Sequence, residues 1–184
     1  MAGSAANVRL FLVGPMGSGK STVGRHLADL LDCPFLDSDA EIESRAGADI
    51  PWIFDVEGEA GFRRRETTVL RDLVEHPAAV IATGGGAILA AENREMMART
   101  GVVVFLKVSV AQQLKRTGSG EGRPLLQQGD REETLKQLMA DREPLYRALA
   151  DVIISVGGGN ARKVAIQIKA VLRERGLVPH HDGE

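Results

Sequence analysis

The chain has 184 residues, of which 43% are hydrophobic and 26% charged, with a single cysteine and a net charge of −2. That length and balance fit one globular domain over residues 1–184, with a proper core, and exclude disordered, fibrous or disulfide-stapled classes. The near-zero charge gives no global pull toward nucleic acid or anionic membrane, and no apolar run is long enough to span a bilayer. The start of the chain lacks the basic and apolar regions of a signal peptide, so the cytoplasm is the expected location.

Residues 8–13 are apolar and read as a first strand. The run Gly14-Pro15-Met16-Gly17-Ser18-Gly19-Lys20-Ser21 follows at once. It fits the phosphate-loop pattern G-x-x-x-x-G-K-[ST], and a helix over 21–31 follows, with Val23, Leu27, Leu30 and Leu31 on one face. Backbone N–H groups of such a loop and the helix N-terminus behind it attract a polyphosphate. Lys20 is placed to reach its outer phosphates, and the Ser21 hydroxyl is suited to Mg²⁺. Cys33 reads as a small buried hydrophobe rather than a reactive thiol.

Residues 34–36 form a short second strand ending at Asp37-Ser38-Asp39. If the strand persisted, both carboxylates would share a face. One could sit near the metal and the other could accept a hydroxyl proton; the alternative is a turn that caps the next helix. Short helices are expected over 40–46 and 51–56, the second with Pro51 in its first turn. A longer helix covers 61–75. It carries Arg63, Arg64 and Arg65, which point in different directions, so at most one or two face a site. Arg64 and Arg65 read as solvated. Trp52 reads as a structural residue packed under these helices.

A third strand over 78–82 leads into Gly84-Gly85-Gly86, where a ligand can approach the backbone closely. A helix over 92–99, a fourth strand over 102–106 and a helix over 109–116 follow. Residues 117–130 are polar and glycine-rich, with Arg123 just before Pro124. They read as a mobile lid that excludes water and delivers a guanidinium. The helix over 131–149 contains Pro144, which is expected to disturb it. Arg142 on this helix is either a fork for a carboxylate or a surface ion-pair partner. A fifth strand over 152–155 and a helix over 161–175 complete the pattern, and residues 176–184 are expected to fray.

Strand–helix alternation predicts an α/β fold: a five-stranded parallel sheet with helices on both faces. Ligands bind such sheets at the carboxyl ends of the strands, where the phosphate loop, the acidic pair and the triple glycine all fall. Positioned phosphates, a metal, an oriented acceptor and charge neutralisation are the requirements of phosphoryl transfer.

Taken together, these residues resemble the shikimate kinase family, from about residue 8 to residue 172. The resemblance rests on the phosphate loop with Asp37-Ser38-Asp39, Ile53-Phe54, Gly58-Glu59, Phe62-Arg63, Gly84-Gly85-Gly86, Arg123-Pro124-Leu125-Leu126, and Arg142 through Tyr146, in family order and spacing. It implies a three-layer P-loop kinase fold with a substrate-binding helical region over 38–66. It also implies transfer of the ATP γ-phosphate to the 3-hydroxyl of shikimate, on the route to chorismate and the aromatic amino acids.

By the same resemblance, ATP lies on Gly17, Ser18, Gly19, Lys20, Ser21 and Thr22, with Arg116 stacked on the adenine and Arg123 on the phosphates. Lys20, Asp39 and Arg123 are the implied catalytic residues, Asp39 as the base. Arg63 and Arg142 would clamp the shikimate carboxylate, Gly84, Gly85 and Gly86 would meet its ring, and Phe54 and Phe62 would wall the pocket. Ser21 would hold Mg²⁺ directly and Asp37 through water. The partner is then a small molecule, and the chain is expected to be a monomer. One segment departs from the family pattern: Val156-Gly157-Gly158-Gly159-Asn160-Ala161 lacks the basic or polar residue and proline that many members place beside the adenine. The runners-up are another P-loop small-molecule kinase, such as a gluconate kinase, and a nucleotide-binding module without turnover.

Overall fold

The computed structural model describes residues 8–118, 126 and 129–178. Five strands run parallel: β1 (Arg9–Val13), β2 (Phe35–Asp37), β3 (Ala79–Ala82), β4 (Val102–Lys107) and β5 (Val152–Ser155). Their order across the sheet is β2-β3-β1-β4-β5. β1 is therefore flanked by β3 and β4, with Leu12 opposite Ala82 on one side and Val104 on the other. Chain connections depart in opposite directions from this central strand, and the crevice so formed lies at its carboxyl end.

Both sheet faces are buried, which explains why the strands read as apolar runs without polar alternation. Leu10, Leu12, Val80, Val104, Leu106 and Ile154 face one layer, built from α1 (Lys20–Leu31) and α7 (Ala161–Glu174). Phe11, Val13, Ile81, Val103 and Phe105 face the other. That second layer contains α2 (Ser38–Ala46), α3 (Ile50–Leu73), α4 (Ala91–Thr100) and α6 (Arg131–Leu149). α5 (Val110–Thr117) packs along α6. Leu27 on α1 and Ile168 on α7 are fully buried, and each such side chain contributes about 1.5–3 kcal/mol relative to exposure.

The two helices expected over 51–56 and 61–75 are both present within α3, separated at Gly58 by non-helical backbone (φ 69°, ψ 177°). Three other expectations change. Trp52 is 52% exposed rather than packed beneath its neighbours. Pro144 lies inside an unbroken α6. Residues 176–178 do not fray. Gly176 adopts φ 66°, the Gly176 N–H donates to Arg173 O at 2.9 Å, and the Leu177 N–H donates to Leu172 O at 2.8 Å. This is the glycine stop that satisfies the last helical carbonyls, and it sends Val178 into the core. The expected lid, with Arg123, and the end of the expected tail lie largely outside the described residues. None of the described helices is long and apolar enough to cross a membrane.

Candidate active site

The loop after β1 closes on itself before α1 begins. Gly19, the residue before α1, sits at φ 87°, a left-handed conformation that glycine adopts without steric cost. The Lys20 ammonium folds back over the loop, donating to Gly14 O at 2.8 Å and Pro15 O at 3.0 Å. The Ser21 hydroxyl donates to Asp37 Oδ2 at 2.5 Å. Helix α1 thus presents its N-terminus, a lysine and a hydroxyl to one point.

Asp37 caps the next helix, one of the readings its sequence context left open, and also engages Ser21. Its Oδ1 accepts the Asp39 N–H at 3.0 Å and caps α2, while its Oδ2 engages Ser21. The strand ends at Asp37 and α2 begins at Ser38, so strand alternation does not align Asp37 with Asp39. The turn into α2 does so instead. A cavity of about 390 Å³ is lined by Gly17, Lys20, Ser21, Thr22, Asp37 and Asp39, with Thr83, Gly85 and Arg116 closing its sides.

Asp39 Oδ1 is buried and has no hydrogen-bond partner among the described residues. Loss of water pushes its carboxyl up to about 7; Glu66 and Asp37 add to the rise, and Lys20 opposes it. A carboxyl with that affinity is well matched to proton transfer near neutral pH.

The triple-glycine loop lies between acidic and basic groups. A Cβ on Gly84 would stand 2.6 Å from Glu66 Oε1 and 2.8 Å from Asp39 Oδ1, and one on Gly86 would overlap the Arg63 guanidinium. A side chain at either position would have to displace these carboxylate and guanidinium ends. The Gly84 N–H donates to the buried Ser38 hydroxyl at 3.0 Å. Arg63 is held on Glu66 at 2.9 Å and Glu59 at 3.0 Å, and it lies 5.2 Å from the Phe62 ring centroid. The Phe62 ring in turn lies 4.8 Å from that of Phe54.

Arg142 is only 5% exposed, which removes the surface-pair alternative. It forms no ion pair with any carboxylate among the described residues, and a buried charge without such a partner is costly in the absence of a ligand. Arg65 pairs with Glu57 at 2.6 Å on the surface, and Arg64 is exposed, as their solvated reading requires. Cys33 is partly buried against the core, and burial raises its thiol above the ordinary value.

Arg116 donates to Gly17 O at 3.1 Å and to Gly157 O at 2.7 Å. It therefore bridges the phosphate loop and the glycine segment after β5. With its side-chain amide assigned from the hydrogen-bond network, Gln112 donates to Val156 O at 2.7 Å and accepts from Gly158 N at 3.1 Å. The segment over 156–161 that departs from the family pattern is thus held from α5 and by its own Asn160, whose side chain caps α7.

Sequence reasoning missed Glu66 and Gln112, and it placed Tyr146 in a motif without giving it a role. The spacings Arg63–Glu66 and Arg142–Tyr146 were the available signal, since residues three and four apart share a helix face. No local pattern announces that Glu66 is 1% exposed.

A central phosphate loop, an acidic turn beside it and paired arginines around a glycine loop define a P-loop kinase acting on a small acceptor. The profile of the shikimate kinase family matches residues 16–173. A shikimate kinase of Halorhodospira halophila is 54% identical over 90% of this chain and 93% of its own. The structure of an Acinetobacter baumannii shikimate kinase in complex with shikimate superposes with a TM-score of 0.91 at 51% identity, covering 92% of this chain and 95% of that one. An Aquifex aeolicus shikimate kinase superposes at 0.80 with 37% identity, covering 92% and 98%. The chain belongs to the shikimate kinase family, whose members are phosphotransferases with an alcohol acceptor and use ATP.

Proposed function

We propose that this chain transfers the γ-phosphate of ATP to the 3-hydroxyl of shikimate, giving shikimate 3-phosphate and ADP. The observation that carries the reading is the ring of groups around Gly84–Gly86. Arg63 and the ion-pair-free, buried Arg142 stand on the basic side, and Asp39 with its unpartnered oxygen stands on the acidic side. A ligand with one carboxylate and several hydroxyls satisfies both sides at once.

In this reading the two guanidiniums take the carboxylate, the glycine backbone meets the ring, and Phe54 with Phe62 forms an apolar wall. The nucleotide phosphates lie on the backbone of Gly17–Thr22, where the helix N-terminus and Lys20 offset their charge. Asp39 Oδ1 accepts the proton of the attacking hydroxyl. Arg116 borders the base from its position between Gly17 and Gly157. Arg123, placed by the resemblance alone, adds charge at the transferring group.

The donor set suits Mg²⁺. Ser21 and Asp37 are hard oxygen ligands already 2.5 Å apart, and this ion is held by one or two protein oxygens together with substrate phosphates. When bound, it neutralises charge on the transferring phosphates. Ser21 and Asp37 would hold it, directly and through water respectively. A monomer working in the cytoplasm is part of the same proposal.

Product analysis tests the regiochemistry. Phosphorus NMR of the reaction mixture is expected to give one new monoester coupled to the proton on C3 of shikimate. Coupling to the C4 or C5 proton would overturn the assignment of the acceptor hydroxyl.

A further inference from the structure

Tyr146 carries a buried hydroxyl that has no role in the reading above. Its ring is fully buried and stacks on Phe105 of β4, centroids 4.9 Å apart and 19° between planes. Its hydroxyl donates to Gly85 O at 2.5 Å. Arg142, one turn earlier on α6, lies close enough for its charge to act on the same oxygen. Burial holds the phenol well above its ordinary value, so it stays a donor at any working pH.

The consequence follows from peptide geometry. No cis peptide bond occurs among the described residues. In a trans peptide the N–H points opposite to the C=O of the residue before it. With the Gly85 carbonyl drawn inward to Tyr146, the Gly86 N–H is turned outward, to the open side of the loop. From the other side, Ser38 fixes the preceding Gly84 N–H. The three-glycine segment, free to rotate by composition, is pinned at two of its peptides, Thr83–Gly84 and Gly85–Gly86.

We infer that Tyr146 is a positioning residue for the acceptor: its hydroxyl locks the Gly85–Gly86 peptide so that the Gly86 N–H faces the bound substrate, and it aligns Arg142 with the same ligand. This inference rests on shikimate being that substrate. One hydroxyl thereby couples two acceptor contacts that lie more than fifty residues apart in sequence, while touching neither the nucleotide nor the substrate.

The test is Tyr146→Phe, which keeps the ring on Phe105 and removes the oxygen alone. Calorimetric titration is expected to give about a tenfold weaker shikimate affinity, the scale of one lost net hydrogen bond, with Mg·ATP affinity within twofold of wild type. A purely structural hydroxyl would lower the melting temperature and leave both affinities alone, and that result overturns the inference. If the variant does not fold, the wild-type protein decides. On adding shikimate, the ¹⁵N-labelled Gly86 amide is expected to move strongly; an unmoved Gly86 resonance at saturation overturns the role. Wild-type protein that binds no shikimate at all would overturn the substrate reading itself, an outcome distinct from normal binding by the variant.

Discussion

One Asp39 carboxylate oxygen is sheltered from water without a hydrogen-bond partner, and its nearest charged neighbours include Glu66 and Asp37. Its native pKa of about 7 stands above the ordinary 3.8. A base must be deprotonated to act, so kcat/KM for shikimate is expected to rise with pH along a limb near 7. Glu66→Gln removes the larger like charge, and the limb should move to lower pH; a limb fixed in place would show that Glu66 does not govern Asp39.

The same shift has a stability sign. The folded state holds the Asp39 proton more tightly than the unfolded chain. The contribution is full below about pH 3.8 and is lost as pH rises through about 7. Asp39→Asn should flatten that part of the stability–pH profile from chemical denaturation. It should also cut turnover by about 10²-fold or more, the scale of a lost general base, while Mg·ATP affinity holds. Near-normal turnover would refute Asp39 as the base.

At the scale of elements, α3 joins the aromatic wall to the acceptor arginine. Gly58, at φ 69° and ψ 177°, occupies a backbone region that is essentially reserved for glycine. Gly58→Ala is expected to cost about 1–3 kcal/mol and to raise the KM for shikimate but not for ATP, because Phe54 and Arg63 lie on opposite sides of the break. Thermal melting and two-substrate kinetics check this; equal effects on both KM values would contradict it. The break between two helices was legible because glycine disfavours helix; it is confined to Gly58, which alone absorbs the turn. The phosphate loop and the capping aspartate were legible because their roles are local and leave fixed spacings. Glu66, Arg142 and Tyr146 depend on burial beneath other elements, and their spacing says nothing about depth.

For the whole molecule, alternating strands and helices sufficed to place three motifs at one sheet edge, since parallel strands put successive loops on the same side. The order β2-β3-β1-β4-β5 was not legible, because pairing partners are distant in sequence and every strand is apolar. Nor was the meeting of α5 with the glycine segment after β5, where Arg116 and Gln112 act across long sequence separations. The described residues hold no cluster of three or more acidic, histidine or cysteine side chains able to hold a metal ion alone. Chelation with EDTA is therefore expected to abolish turnover without changing the melting temperature of the nucleotide-free protein. A lower melting temperature after chelation would point to a structural metal instead.

The central claim is that acceptor and nucleotide meet over Asp39. The direct measurement is steady-state ADP release from Mg·ATP with shikimate, with gluconate and with no acceptor. Release is expected to depend on shikimate, with only background in the other two. Release with gluconate alone, or no release despite clear ATP binding, would contradict it.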